Sequence, residues 1–481
     1  MSPTKIPPVK ESPLDNAAVA SAHPARYGFP KEGHYSLSYW LQGVQGDPLL
    51  NHRTTADLPP KADIVIIGSG LTGTLVAKHC LSTWPEKIIV VLEAREFCSG
   101  ATGRNAGHCK PDQWRGFSKY EQAFGAEQAL KILANEQATW SALVEYIREN
   151  NVDCDLWVGD TLDVPVTKEV ANAANETFQQ YVSAGGKVDH IKVTHDPTEA
   201  RKISKIKDAQ ACYAWSASTL YPWKLAAHIM RENLRNGVNL QTRTKVTQIV
   251  QSSAPGKWVA KTERGNIECT QVIHATNAYS SALEPSLRGL IYPQPHMCDR
   301  VVPLVKSEAP NGLGLTNSYG VLLPNGGLFS INPRSTKEGS VLFGGSNPGQ
   351  PELERWIDDP SHPERGVDDG LLGFKPVTDA VQDFAESQLV GWKAQSEHDS
   401  WSGIIAMSAD GVPWIGELPG LPGQWVCAGH NGHGMARIFT AAPGLVKLMD
   451  GSSWAETRLP KVFQITPARV ERLKQVPRSR L

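Results

Sequence analysis

Apolar and polar positions along the chain follow two periods. "ADIVIIG" (62–68) and "KIIVVLE" (87–93) are unbroken apolar runs rich in β-branched residues, the pattern of strands buried on both faces of a parallel sheet. "LTGTLVAKHCLSTW" between them has helical spacing, so the three predict a βαβ unit. From about 120 to 200 the pattern turns helical and polar, as in "EQALKILANEQATWSALVEYIREN". A helix followed by strand material is predicted for "TLYPWKLAAHIMRENLRNGVNLQTRTKVTQIV", and "WVAKTERGNIECTQVIHATNAY" alternates as a hairpin before another apolar strand. "GVLLPNGGLFSINPRSTKEGSVLFGG" predicts antiparallel strands joined by Gly and Asn turns, and "WVCAGHNGHGMARIFTAAPGLVKLMDG" predicts strand, glycine turn and helix.

Nucleotide-type segments are thus interleaved with others, which implies discontinuous domains. The fold class expected is α/β, α+β overall: a Rossmann-like cofactor domain with an interleaved antiparallel-sheet substrate domain. The expected division is an N-terminal arm over 1–60, a cofactor domain over 61–118, 206–288 and 396–455, a substrate domain over 119–205 and 289–395, and a tail over 456–481. Tyr39 and Trp40 in "YSLSYW" are the expected anchors of the arm.

With 481 residues, 40% of them hydrophobic and 20% charged, the chain is an ordinary globular protein. Its 48 Lys and Arg balance 49 Asp and Glu, so no global field draws it to nucleic acid or an anionic membrane. The eight cysteines form no CxxC pair, which reads as reduced thiols in an intracellular protein without a zinc site. No apolar run approaches a membrane span, and the N-terminus has no secretory h-region. A small-molecule partner is therefore expected. The chain ends Ser479-Arg480-Leu481, close to the Ser-Lys-Leu that peroxisomal import receptors read, so the peroxisome is the expected location and the cytoplasm the alternative.

Gly68, Gly70 and Gly73 form GxGxxG between strand and helix, with Leu71 and Thr72 between its last two glycines as further expected cofactor-binding residues. Such glycines permit the tight turn, the approach of a pyrophosphate and the packing of helix on strand. Glu93, followed by Ala94, ends the second strand 20 residues past Gly73, where an acid can hold both ribose hydroxyls and disfavours a 2′-phosphate. NAD and FAD both satisfy this much. "GATGRNAGHC" (100–109) separates them: a flavin ring must lie against bare backbone, which Gly100, Gly103 and Gly107 supply, with Arg104 and Asn105 as donors to its edge.

"IVIIGSGLTGTLVA", "LEA", "GATGRNAG", "VIHATNAY", "GIIAMSADGVPWIG" and "CAGHNGHGM" occur in the order found in the D-amino-acid oxidase and sarcosine oxidase superfamily of FAD-dependent amine oxidoreductases. The chain resembles that superfamily over roughly 40–455, and the gamma-glutamylputrescine oxidase branch most. The resemblance implies that Ala101, Thr102, Arg104, Asn105, Gly107 and His108 wrap the flavin and that Val246 meets the adenine. It also implies that Gly432, His433, Gly434 and Met435 face the pyrimidine edge, and that Ala275–Tyr279 closes the adenosine side. Asp410, Gly411, Pro413 and Gly416 read as turn formers. His433 and Arg104 are the candidate catalytic residues, with Arg437 a further candidate cation for oxygen reactivity.

Departures from the family pattern carry information too. Gly403 stands where several relatives tether FAD through cysteine, so noncovalent FAD is expected, with His108 and Cys109 the residual candidates for attachment. Gly107 and Ala436 stand where amino-acid oxidising relatives carry a basic pair for the substrate carboxylate, which disfavours a simple α-amino acid. Leu342 stands where the sarcosine group carries a lysine proposed to activate oxygen. The function expected is oxidation of an amine C–N bond by hydride transfer to FAD, giving an imine or carbonyl product and H2O2. The alternative is a biosynthetic oxidoreductase or dehydrogenase that acts on a specialised metabolite without O2 as main acceptor.

Overall fold

β1 (Ile64–Ile67) and β2 (Ile89–Leu92) are buried at every position and pair in parallel, as two-sided apolar runs must. In this computed structural model, which describes residues 26–31, 33–303, 313–334, 339–392 and 397–475, they sit at the centre of a six-stranded sheet. Its order is 414–417, 424–428, 271–274, β1, β2 and 239–241, and only the pairing of 414–417 with 424–428 is antiparallel. Helix α1 (Leu71–Thr83) follows β1 directly and packs against Pro222–Arg235 and Ile438–Met449. A three-stranded antiparallel sheet (246–251, 258–262, 265–269) caps this lobe.

The second lobe is built on a nine-stranded sheet in the order 397–408, 291–302, 341–344, 328–333, 318–322, 157–165, 212–219 and 108–109, with 192–194 added against 212–219. It is antiparallel apart from the pair 318–322 with 157–165. Helix α2 (Ala126–Glu149) lies between the lobes and packs on Ile438–Met449.

The structure redraws several expected boundaries. Trp157–Pro165 is a nine-residue strand inside the span read as helical; Gly159 and the polar run Asp160–Thr161 blur its alternation. Cys212–Thr219 and Glu397–Ser408, counted above with the cofactor domain, hydrogen-bond in the larger sheet, because their partners lie there and not beside β1. The tail carries helix Pro467–Gln475, docked where Arg469 pairs with Asp410 at 2.8 Å and donates to the Pro413 carbonyl at 3.1 Å. Asp410 and Pro413 are therefore structural, as is Gly411 with φ of 74°, whereas Gly416, expected as a turn former, lies inside strand 414–417 opposite Val426 with φ of 135°. Ser479, Arg480, Leu481 and the first 25 residues of the arm lie outside the described residues.

Candidate functional site

The turn after β1 requires its glycines. Gly68 has φ of 105°, and a Cβ on Gly73 would overlap the Gly68 carbonyl oxygen. Gly70 caps α1 without a side-chain hydrogen bond, so the first turn, Thr72 included, opens a helix N-terminus suited to an anion. The Leu71 amide donates to Thr102 Oγ1 at 3.0 Å, which sets the glycine-rich loop beside this helix start. Glu93 accepts from the Ser69 amide (3.0 Å), the Ser69 hydroxyl (2.8 Å) and the Arg95 amide (3.0 Å), holding its carboxylate at the lip of the turn. Beyond it, Ala94, Arg243, Thr244, Lys245, Glu263 and Arg264 line a cavity of about 90 Å³, and buried Val246 follows in sequence. The Ala275 carbonyl faces Gly68, and the Asn277 side chain accepts from the Gly429 amide at 3.2 Å, tying that strand end to the C-terminal turn.

In the glycine-rich loop Gly100 and Ala101 lead into one turn of 3-10 helix (Ala101–Gly103). The N-terminal arm braces the loop: Ser38 Oγ donates to the Gly103 carbonyl and Trp40 Nε1 to the Asn105 carbonyl, each at 2.5 Å, and Trp40 is fully buried. Asn105 is spent on the loop itself, donating to the Ala101 and Thr102 carbonyls and accepting from the Gly107 amide, and is not a free donor to a ring. Arg104 is a second correction. It is 2% exposed, and its guanidinium donates to the Ser99 and Ser402 carbonyls at 2.7 and 2.9 Å and to Ser36 Oγ at 3.2 Å, so the burial of one cation consumes most of its donors. The geometry makes it an internal strut; only Nη2 lacks a partner. Gly403 lies against it, since a Cβ there would come within 3.1 Å of Arg104 Cβ.

Gly107 has φ of 80°, and a Cβ would collide with the Trp40 ring and the Leu220 carbonyl. Any side chain is excluded, a substrate-gripping cation included. Leu342 is fully buried and registers with Asn332, whose side chain donates to the Ala106 carbonyl at 2.8 Å, so this strand pair faces the loop. His108 is held near Ser330 and the Ile331 carbonyl, and burial pushes it down to about 3, so it stays neutral. Cys109 donates to the Met435 carbonyl at 3.3 Å and burial raises its thiol far above the usual range, which suppresses the nucleophilic thiolate.

The turn Gly432–His433–Gly434 leads through a 3-10 turn (Gly434–Ala436) into helix α3 (Ile438–Met449). Glu136 of α2, fully buried, organises it: Arg437 Nε (3.0 Å), His433 Nδ1 (3.3 Å) and the Asp112 amide (2.8 Å) all converge on its carboxylate. Burial opposes the charge, yet the His433 and Arg437 partners hold Glu136 down at about 2. Arg437 is 1% exposed and also donates to Tyr120 Oη at 2.8 Å, so it is neither a surface charge nor an uncommitted cation. His433 keeps a third of its side chain exposed. Ala436 is buried.

The sequence reading missed the cation that does stand beside the loop. Lys110, directly after Cys109, places Nζ 2.5 Å from Asp163 Oδ1 and 5.1 Å from the Trp215 ring centre, and Arg115 Nη1 lies 3.3 Å from both Asp163 oxygens. The basic residue one step past the motif was the available signal; Asp163 had none, because its strand was read as helical.

FAD fits these residues. Added Cβ atoms meet nothing within 4 Å at Gly100 and only a single atom, at 4.0 Å, at Gly432; Arg104 Nη2, Ser99 Oγ and Tyr279 Oη are buried polar atoms without protein partners. Glu93 retains lone pairs beyond those it uses. The family model described as DAO, FAD dependent oxidoreductase, matches residues 63–448. Gamma-glutamylputrescine oxidoreductase of Escherichia coli (strain K12) is 24% identical over 398 residues, 81% of this chain and 84% of that protein. The probable oxidoreductase OrdL of Rhizobium meliloti (strain 1021) is 22% identical over 383 residues, 78% of this chain and 80% of its own length. Among solved structures, glycine oxidase from Geobacillus kaustophilus is similar in fold, with a TM-score of 0.61 at 20% identity over 85% of this chain and 99% of that one. L-Amino acid deaminase from Proteus myxofaciens gives a TM-score of 0.64 at 16% identity, over 90% of this chain and 97% of that one. The βαβ turn with its acid, the braced glycine-rich loop and a family match over most of the chain lead to one conclusion: the protein belongs to the DAO family of FAD-dependent oxidoreductases.

Proposed function

We propose that this enzyme oxidises the C–N bond of an amine. The observation that carries the reading is that the glycine-rich loop is tied to the helix start of α1 through Thr102, and the strand after it to the C-terminal turn through Cys109 and Met435, together with a similar curated protein named for an amine substrate. FAD, when bound, would supply the two-electron acceptor for the hydride of the carbon bearing the amine, with O2 as terminal acceptor and H2O2 as product. The substrate-derived imine is hydrolysed by water to a carbonyl compound and ammonia or a smaller amine. The residues' part is placement: the loop supplies bare backbone, α1 supplies amide donors to an anion, and Glu136 keeps His433 and Arg437 in register at the C-terminal turn.

Gly107 and buried Ala436 leave no room for the basic pair of amino-acid oxidising relatives, which supports polyamines, acylated polyamines and N-methyl amines over small α-amino acids. The protonated Cys109 and the enclosed His108 support noncovalent FAD. Peroxide release by purified protein across that amine panel tests the substrate reading; D-amino acids as best substrates would overturn it. Flavin remaining with acid-precipitated polypeptide would overturn noncovalent binding.

The buried Leu342 on the loop-facing strand pair favours a second reading, a dehydrogenase with another acceptor. Substrate that bleaches the flavin anaerobically while air restores it slowly and without stoichiometric peroxide would select that reading. For location we propose import through Ser479-Arg480-Leu481. A fluorescent reporter ending in these residues should become punctate with peroxisomes, and a diffuse signal would remove the claim.

A further inference from the structure

One residue, Asp369, ties the N-terminal arm to both Arg95 and Arg104. Asp369, 1% exposed in its side chain, takes Arg95 Nη1 and Nη2 at 2.9 and 2.8 Å, and Arg104 Nε stands 3.3 Å from its Oδ2. Its backbone carbonyl accepts from the Ser36 amide at 2.7 Å, from Ser36 Oγ at 2.9 Å and from Arg104 Nη1 at 3.4 Å. The Tyr35 ring lies 4.9 and 5.3 Å from the two guanidinium carbons. Arg95 is two residues past Glu93 and its amide donates to that acid; Arg104 lies within the glycine-rich loop. A single side chain from the substrate lobe therefore pins both ends of the stretch 93–104, while the seam still holds unspent polar atoms in Arg104 Nη2, Ser99 Oγ and Tyr279 Oη.

We propose that Asp369 is a positioning residue for the flavin: by gripping Arg95 and Arg104 together it fixes the span from the ribose acid to the ring-binding loop and couples FAD retention to closure of the two lobes. A buried bidentate arginine pair has the geometric specificity this needs, and a misplaced binding segment loses the ligand before the lobes lose their folds. The inference rests on FAD lying along residues 93–107, as placed above.

The test compares holoproteins by the rate of FAD release, read as recovered flavin fluorescence, and by the bound-flavin absorbance envelope, with far-UV circular dichroism of each apoprotein as control. Asp369→Asn should release FAD roughly tenfold to a hundredfold faster, with an altered envelope and an apoprotein of unchanged secondary structure. Asp369→Glu should restore part of the retention. If Asp369→Asn does not fold, the double variant Arg95→Met/Asp369→Leu replaces the charges with apolar groups and should fold, still leaking flavin. Release and spectra like the parent's in Asp369→Asn, or in the double variant where it takes over, would overturn the proposal. Gly100→Val separates the premises: bulk there should exclude FAD, so normal FAD binding by that variant refutes the placement of the flavin, whereas exclusion of FAD beside an unaffected Asp369→Asn refutes the role of Asp369 alone.

Discussion

Two buried carboxylates each hold two cations, and they differ in how completely they hold them. At the lobe seam Asp369 grips Arg95 through both oxygens, and both arginine side chains are 1–2% exposed. On the sheet, Asp163 meets Arg115 through one nitrogen at 3.3 Å, and Lys110 and Arg115 keep 11% and 21% of their side chains exposed. Gly320 makes the second arrangement possible, because a Cβ there would strike Asp163 and Lys110. Equal charge counts thus give different chemistry. The closed cluster keeps a single unpartnered donor, Arg104 Nη2, and acts as a fastening; the looser one leaves both cations partly open, where an anionic group on a ligand would compete for them.

The largest effect expected follows from that contrast. Arg95→Met leaves Asp369 with an incomplete partner set in a dry seam and should cost about 3–5 kcal/mol by denaturant titration, while Arg115→Met should cost about 1 kcal/mol or less. Equal costs would erase the distinction. Next comes Gly107→Ala, which forces a Cβ onto Trp40 at positive φ; a loss of about 1–3 kcal/mol in melting experiments is expected, and a neutral result would show that the loop is not braced as described.

Acid should expose a third difference. Glu136, held near 2, contributes stability that is complete above the ordinary unfolded value of about 4.3 and is lost as pH falls toward 2. His108 and His430, both lowered to about 3 by burial, have the same sign by another route: below about 6.5 the unfolded chain binds protons first, so stability falls from there down to about 3. Glu136→Gln should therefore flatten the limb below pH 4.5, and His430→Gln the limb between 6.5 and 3. Unchanged limbs in equilibrium unfolding against pH would contradict these assignments. A selective kinetic effect concerns Lys110→Met, which should raise KM about tenfold for amines that carry a carboxylate and leave KM for simple amines alone, a difference of about 1.4 kcal/mol. A uniform change in kcat would make Lys110 a structural partner of Asp163 only.

What was legible in the sequence was local. The strand runs, the Gly68–Gly73 turn, Glu93 and the loop at 100–109 announce themselves because steric and hydrogen-bonding demands act within a few residues. Asp369 sits in the turn-rich stretch "ERGVDDGLLG" and meets partners 265 and 274 positions away, a relation no periodicity encodes. Arg104 was read as a donor to a ligand because a loop arginine usually faces outward; the N-terminal arm, whose packing depends on Trp40 reaching Asn105, turned it inward. Glu136 was hidden likewise, and Arg437, read as a candidate cation, meets its carboxylate only once α2 and α3 touch.

The bracing of the loop by Trp40 also sets an order of events during synthesis. The piece that supports the loop is made before the loop itself, Asp369 follows some 260 residues later, and Arg437 later still. Until Asp369 is made, Arg95 and Arg104 lack the carboxylate they share in the folded protein. If Asp369 fixes the flavin-binding span, FAD capture waits for it, and a shortage of flavin during growth should appear as a pool of colourless, protease-sensitive protein.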